Sequence, residues 1–200
     1  MEPQTTVYIG KIPNSLEIKS IYPKARLDEI NACSSQKAKR EKYCAWKLLE
    51  YAIKDALNLE ISEIDFEKSI NGKWLCKDFY FSISHSYDMV CVAISKSPVG
   101  IDIEKISEKL KRIMPRYLTD SENKELSSIN ESDLLEHLCT KWTQKESIFK
   151  SWDKKAFTPS KIDTSLYKTS TYKIENYIVS ICTDENIQIF KDTDYLIQGE

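Results

Sequence analysis

Apolar and polar positions alternate along the chain in an order that runs through twice: a helix, then about three strand candidates. A short apolar run at Val7–Ile9 predicts a first strand, and a loop marked by prolines follows it. From Ser34 to Leu59, the residues Tyr43, Trp46, Leu49, Ile53, Ala56 and Leu57 recur at helical spacing with Lys and Glu between them, which predicts a long amphipathic helix. Asn71-Gly72 marks a turn. FYFSIS, MVCVAIS and VGIDIE then read as strands, and the connections HSYD and KSP are short enough to make them antiparallel neighbours.

In the second half, Thr119 and Glu122 have capping-box spacing, and Ser132-Asp133 can cap a further helix, the longest of the chain, running to about Trp152. After Pro159, LYKTSTYKI, YIVSICT and IQIFKD read as three more strands. The expected fold class is α+β: a pseudo-twofold duplication of a helix plus three-stranded antiparallel sheet unit, divided into residues 1–98 and 99–200. A cleft between the halves is the natural ligand site.

Composition narrows the classes of function. A formal net charge of -2 over 200 residues, with Lys and Arg scattered as well as clustered, argues against long nucleic acid as a partner but not against a small anion. The six cysteines (Cys33, Cys44, Cys76, Cys91, Cys139, Cys182) sit singly, without CxxC or Cys/His ligand spacing, and read as reduced packing thiols. The start of the chain lacks a basic region followed by an apolar one. No run approaches the roughly 18 apolar residues of a membrane span. The expected location is the cytoplasm, with no membrane contact.

Three stretches carry candidate chemistry. In VGIDIEK, strand alternation puts Val99, Ile101 and Ile103 on one face and Gly100, Asp102 and Glu104 on the other. The two acids are then roughly 6 to 7 Å apart at their Cα atoms, from a rise of about 3.3 Å per residue. Such a pair suits one hard cation such as Mg²⁺, which takes carboxylate, phosphate and water oxygens; it equally suits a solvated strand face. In KWTQKESIFK, helical spacing stacks Trp142, Glu146 and Lys150 along one face, as an ordinary surface ion pair also would. ISHSYD offers Ser84, His85 and Ser86 at a strand end. No G-x-S-x-G elbow accompanies them, so a histidine charge and hydroxyl donors for phosphate oxygens fit better than a triad.

The order SISHS, GIDIE and WxxKESxxK resembles that of the Sfp-type 4'-phosphopantetheinyl transferases, and RYLTDSE (116–122) is similar to the family's segment between its two acidic motifs. The likeness extends from about Ser34 to about Pro159. It implies the 4'-phosphopantetheinyl transferase fold and an enzyme of the holo-acyl-carrier-protein synthase type. Such an enzyme transfers the phosphopantetheine arm of coenzyme A to a serine of an apo acyl or peptidyl carrier protein and releases adenosine 3',5'-bisphosphate. By position, Asp102, Glu104 and Glu146 match the family's Mg²⁺ acids, Glu146 is the candidate general base with Glu104 its rival, and Lys150 matches the lysine that offsets charge on the leaving diphosphate.

For coenzyme A, the resemblance implies contacts from Ser84 and His85, with His85 favouring the 3'-phosphate, from Lys73 after Gly72, and from Lys37 and Arg40 near the start of the first helix. The N-terminal half would then grip coenzyme A phosphates and the C-terminal half carry the metal acids and catalytic helix, as a monomer with pseudo-dimeric halves. Two positions depart from the family: Trp46-Lys47 stands where an arginine is usual, and SWDKKAFTP after Lys150 has no glycine. A catalytically silent coenzyme A or carrier-binding module of the same fold is the alternative, and a Mg²⁺-dependent diphosphate hydrolase a third reading.

Overall fold

The computed structural model describes residues 4–152 and 156–190. Strand β1 (Gln4–Lys11) extends the expected Val7–Ile9 run. The loop read after it contains a helix, α1 (Lys24–Asn31), which buries only Ile30 and so leaves little apolar periodicity. Helix α2 (Gln36–Leu57) begins at Ser35, whose hydroxyl accepts from the Ala38 N–H, and ends at Asn58 in the left-handed region. The Asn71-Gly72 turn, with Gly72 at φ 77°, joins two three-residue strands, β2 (Phe66–Lys68) and β3 (Trp74–Cys76), too short to show a period.

Strands β4 (Tyr80–Ser86), β5 (Met89–Ser95) and β6 (Gly100–Lys105) fall on the three expected runs. Short helices α3 (Lys109–Ile113) and α4 (Asp120–Glu125) follow, α4 with the expected Thr119/Glu122 capping box. Helix α5 (Glu131–Ser151) starts from Asn130 rather than from Ser132-Asp133, and at 21 residues it is one shorter than α2, so it is not the longest helix. Strands β7 (Thr169–Ile174), β8 (Tyr177–Cys182) and β9 (Asn186–Phe190) complete the described chain; the end of the IQIFKD run lies outside the described residues.

The strands divide differently from the sequence expectation. One sheet has the order β4-β5-β1-β9, with β9 parallel to β1, and the other is β6-β8-β7; β2 and β3 pair separately. FYFSIS and MVCVAIS are antiparallel neighbours, whereas VGIDIE leaves them to pair with β8. The unit of one helix and three antiparallel strands therefore does not hold for the first half. The cause is the apolar face of β6. Val99, Ile101 and Ile103 bury themselves against Val7, Ile9, Cys91 and Ala93, which requires β6 to lie across the first sheet instead of beside β5.

Because β5 also packs Val90, Val92 and Ile94 against α2, both of its faces are buried, which explains its unbroken apolar sequence. Helix α5 covers β6 and β8 from the far side, giving the layers α2, first sheet, second sheet, α5. Each sheet repeats one connection order: β1, α2, then the β4–β5 hairpin; β6, α5, then the β7–β8 hairpin. All six cysteines are free thiols, and among the described residues no helix is long and apolar enough to cross a membrane.

Candidate active site

Every second residue at the end of β4 is a serine, and the three hydroxyls face the edge of β6. Ser82 Oγ accepts from the Ile101 N–H at 3.0 Å, Ser86 Oγ accepts from the Lys105 N–H at 3.3 Å, and Ser84 Oγ donates to Asp102 Oδ1 at 2.7 Å. The Ser82 and Ser86 hydroxyls stand where a neighbouring strand's carbonyls would, and with Ser84 hold β6 against β4 without a ladder. Helix α5 reaches the same strand through Gly100: a Cβ there would lie 1.8 Å from the Ser147 carbonyl oxygen and 2.5 Å from the Ser151 nitrogen. That approach brings the last two turns of α5, with Glu146 and Lys150, over Asp102.

The result is a cavity of about 330 Å³ whose lining includes Ser84, His85, Asp102, Glu104, Glu146 and Lys150. Trp142 and the α3 residues Leu110 and Ile113 close its apolar side. Lys150 Nζ lies 2.7 Å from Asp102 Oδ1 and 3.0 Å from Ser84 Oγ, so cation, carboxylate and hydroxyl form a closed triangle. Burial opposes the charge on Lys150, but Asp102 and Glu146 outweigh it and hold the ammonium above its usual range. Burial, then repulsion from Asp102, raises Glu104 and pushes Glu146 up to about 7. The acid on α5 thus shares protonated and ionised forms near neutral pH, as a proton acceptor requires.

Burial first, then Lys150, Arg26, Lys42 and Lys37, lowers His85 to about 4 in the ligand-free protein, with Glu41 3.8 Å from its Nδ1. Lys73 reaches the site from the β2–β3 turn and donates to the Lys150 carbonyl at 2.6 Å. Lys37 and Arg40 line neither this cavity nor the one beside it. The side chain of Lys37 is 59% exposed, 3.7 Å from Glu41, and Arg40 lines a separate depression with Asn14 and Leu16. At 3.6 residues per turn Lys37 is roughly opposite Trp46 on α2, whereas Lys42 lies about 40° away. Lys42 and Arg26 therefore occupy the wall near His85 instead. The position of Lys42 four residues before Trp46 was a usable sequence signal; Arg26 offered none.

The motif lysine Lys145 takes a place the sequence reading did not assign. It is fully buried, pairs with Glu122 at 2.8 Å and donates to the carbonyls of Pro159 at 3.1 Å and Ile162 at 2.5 Å. Glu122 also accepts from the Thr119 N–H, so Lys145 ties the TDSE cap and the returning chain to α5. Part of the glycine-free segment, residues 153–155, lies outside the described residues; after it Phe157 packs on Phe149 and Trp142.

Among the described residues no three His, Cys, Asp or Glu side chains are drawn close enough to hold a metal ion as they stand, and the positive charge between the acids is Lys150. The donor chemistry nonetheless fits a hard divalent cation: three carboxylates line one cavity, and mutual repulsion contributes to raising two of them.

The model of the 4'-phosphopantetheinyl transferase superfamily matches residues 98–198. The chain is 36% identical over 121 residues to the 4'-phosphopantetheinyl transferase gsp of Aneurinibacillus migulanus, covering 58% of this chain and 51% of that protein. It is 30% identical over 106 residues to the 4'-phosphopantetheinyl transferase Sfp of Bacillus subtilis, covering 52% and 47%. The chain spans about half the length of these curated relatives.

Proposed function

This chain belongs to the 4'-phosphopantetheinyl transferase superfamily, and from that premise we propose that it transfers the phosphopantetheine arm of coenzyme A to a serine hydroxyl of an apo carrier protein. The serine oxygen forms a new bond to phosphorus, the diphosphate bond breaks, and adenosine 3',5'-bisphosphate leaves with the bridging oxygen. The acceptor in this reading is an acyl or a peptidyl carrier protein; the names of the matched relatives specify no carrier.

The observation that carries this reading is the placement of Glu146 and Lys150, one turn apart on α5, opposite Asp102 and Ser84 in a single cavity. Glu146 accepts the proton of the attacking hydroxyl, directly or through a water. Lys150 stands where it offsets negative charge on the diphosphate, and Ser84, its hydroxyl proton turned from Asp102 Oδ1 to the ligand, donates to a phosphate oxygen. Asp102, Glu104 and Glu146 would hold Mg²⁺, which supplies charge neutralisation for the diphosphate oxygens. The repeated connection order supports the reading of two pseudo-dimeric halves divided near residue 98, with β9 crossing back to the first sheet; a monomer in the cytoplasm is part of the same proposal.

The test is to incubate the protein with coenzyme A, Mg²⁺ and a panel of apo carriers, and to weigh the carriers by mass spectrometry. A gain of one phosphopantetheine arm is expected, and Glu146→Gln should abolish it while retaining the native circular dichroism. Coenzyme A bound without a gain on any carrier would assign a binding module, and diphosphate cleavage without a carrier would assign a hydrolase.

A further inference from the structure

A depression of about 450 Å³ lies between the start of α2, the end of α1 and the loop after β1. It shares no lining residue with the active cavity, nor with the cavity of about 270 Å³ beside that one, where Arg26, Lys42, Trp46 and Trp74 stand. Helical spacing builds its wall. Gln36, Lys39 and Arg40 fall at i, i+3 and i+4 on α2, so their side chains project from one face. Asn31, the last residue of α1, stands across from them, and Asn14 and Ser15 come from the loop. Leu16 and Ile18, packed on the core beneath α2, supply the apolar part of the lining.

The charges in this lining do not balance. Lys39 and Arg40 are both half-buried, and no carboxylate stands among the lining residues. Arg26 makes the contrast, since its guanidinium has Glu29 at 3.1 Å. Arg40 Nε is buried and has no hydrogen-bond partner. An arginine that is only solvated keeps its donors in water, whereas a donor withdrawn from water without an acceptor costs free energy. An anion in the depression supplies acceptor and counter-charge together.

The donors indicate which anion. A guanidinium fork, an ammonium and three side-chain amides offer more N–H groups than the two oxygens of a carboxylate can use, and a phosphate monoester presents three terminal oxygens. A cavity of about 450 Å³ also falls in the range of small-molecule sites, with room for more than a free phosphate. We propose that this depression is a second anion site, distinct from the transferase cavity, that binds a small phosphate monoester with Arg40 as its principal contact. It stands whether or not the chain transfers phosphopantetheine, and it gives Arg40 a ligand other than coenzyme A.

The experiment is an NMR titration that follows the backbone amides and the Arg40 Nε–H, with glycerol 3-phosphate and inorganic phosphate as probes and glycerol as the neutral control. The Arg40 Nε–H resonance should shift with both phosphates, together with the Asn31 and Gln36 amides, and not with glycerol. Glycerol 3-phosphate should bind with a Kd of about 1 mM or below, and more tightly than inorganic phosphate. Arg40→Gln should weaken it by about tenfold to a hundredfold, the weight of a charge-assisted hydrogen bond, and Arg40→Lys, which keeps the charge but not the planar fork, by less. Both variants should keep the native circular dichroism. Unchanged affinity in folded Arg40→Gln, or phosphate shifts confined to His85 and Lys150, would overturn the site. Equal affinity for the two phosphates would overturn the monoester assignment. Coenzyme A moving the Arg40 resonance at lower concentration than glycerol 3-phosphate would return Arg40 to the coenzyme A grip and overturn a separate site.

Discussion

Gly100 and Ser147 are in such close backbone contact that even a methyl group on Gly100 would lie 1.8 Å from the Ser147 carbonyl oxygen. The backbone of α5 is the obstacle, so rotamer adjustment cannot relieve the clash. Gly100→Ala should therefore move α5 away from β6, at a cost of about 3 kcal/mol or more, at or beyond the upper end for overpacking. Chemical denaturation would read the loss. Transfer should fall further than stability does, because Glu146 and Lys150 ride on the displaced helix; a variant with native midpoint and turnover would show that the contact is slack.

Lys145 and Glu122 form a buried ion pair; Lys145 also donates to two carbonyls, and Glu122 accepts from a backbone N–H and has Lys141 at 3.9 Å. Removing either partner leaves the other buried without its nearest counter-charge. Lys145→Met should destabilise the protein by about 3 to 5 kcal/mol, and adding Glu122→Gln should recover much of it. A double-mutant cycle by urea unfolding measures the coupling. Additive effects would mean that the two side chains act independently.

Local sequence revealed one part of the site and missed another. Strand parity put Asp102 and Glu104 on one face and helical spacing put Glu146 and Lys150 on another, because both rules are local; the family resemblance joined the two pairs. The partition of the sheets was not legible, since the choice between lying beside β5 and lying across it depends on which apolar faces meet. Helix α1 and the β2–β3 hairpin bury too few residues to leave a period, and with them went Arg26, Glu29 and Trp74. The serine alternation Ser82, Ser84, Ser86 was visible, but its partner strand was not.

His85 makes stability depend on pH with a definite sign. A histidine in the unfolded chain titrates near 6.5, whereas burial and four neighbouring cations hold this one at about 4. Between those values the unfolded state takes up a proton that the folded state refuses. The contribution of His85 is thus intact above about pH 6.5 and is lost as pH falls toward 4. Denaturation midpoints compared at pH 7.5 and 4.5 should show wild type losing ground to His85→Gln on acidification. A constant difference would mean that neither burial nor the cations lower the ring's pKa.

Lys150 occupies the position that a divalent cation would share, bonded to Asp102 Oδ1 between the carboxylates. In the free protein it neutralises the acids, and it must compete with any metal that they bind. Lys150→Met should therefore tighten Mg²⁺ binding by about tenfold, or about 1.4 kcal/mol, while transfer is lost. Asp102→Asn and Glu146→Gln should weaken the same binding. Isothermal titration with Mg²⁺ alone, without coenzyme A, decides the matter. Unchanged or weaker affinity in Lys150→Met would place the ion away from Asp102 and remove the case for these three carboxylates as its ligands.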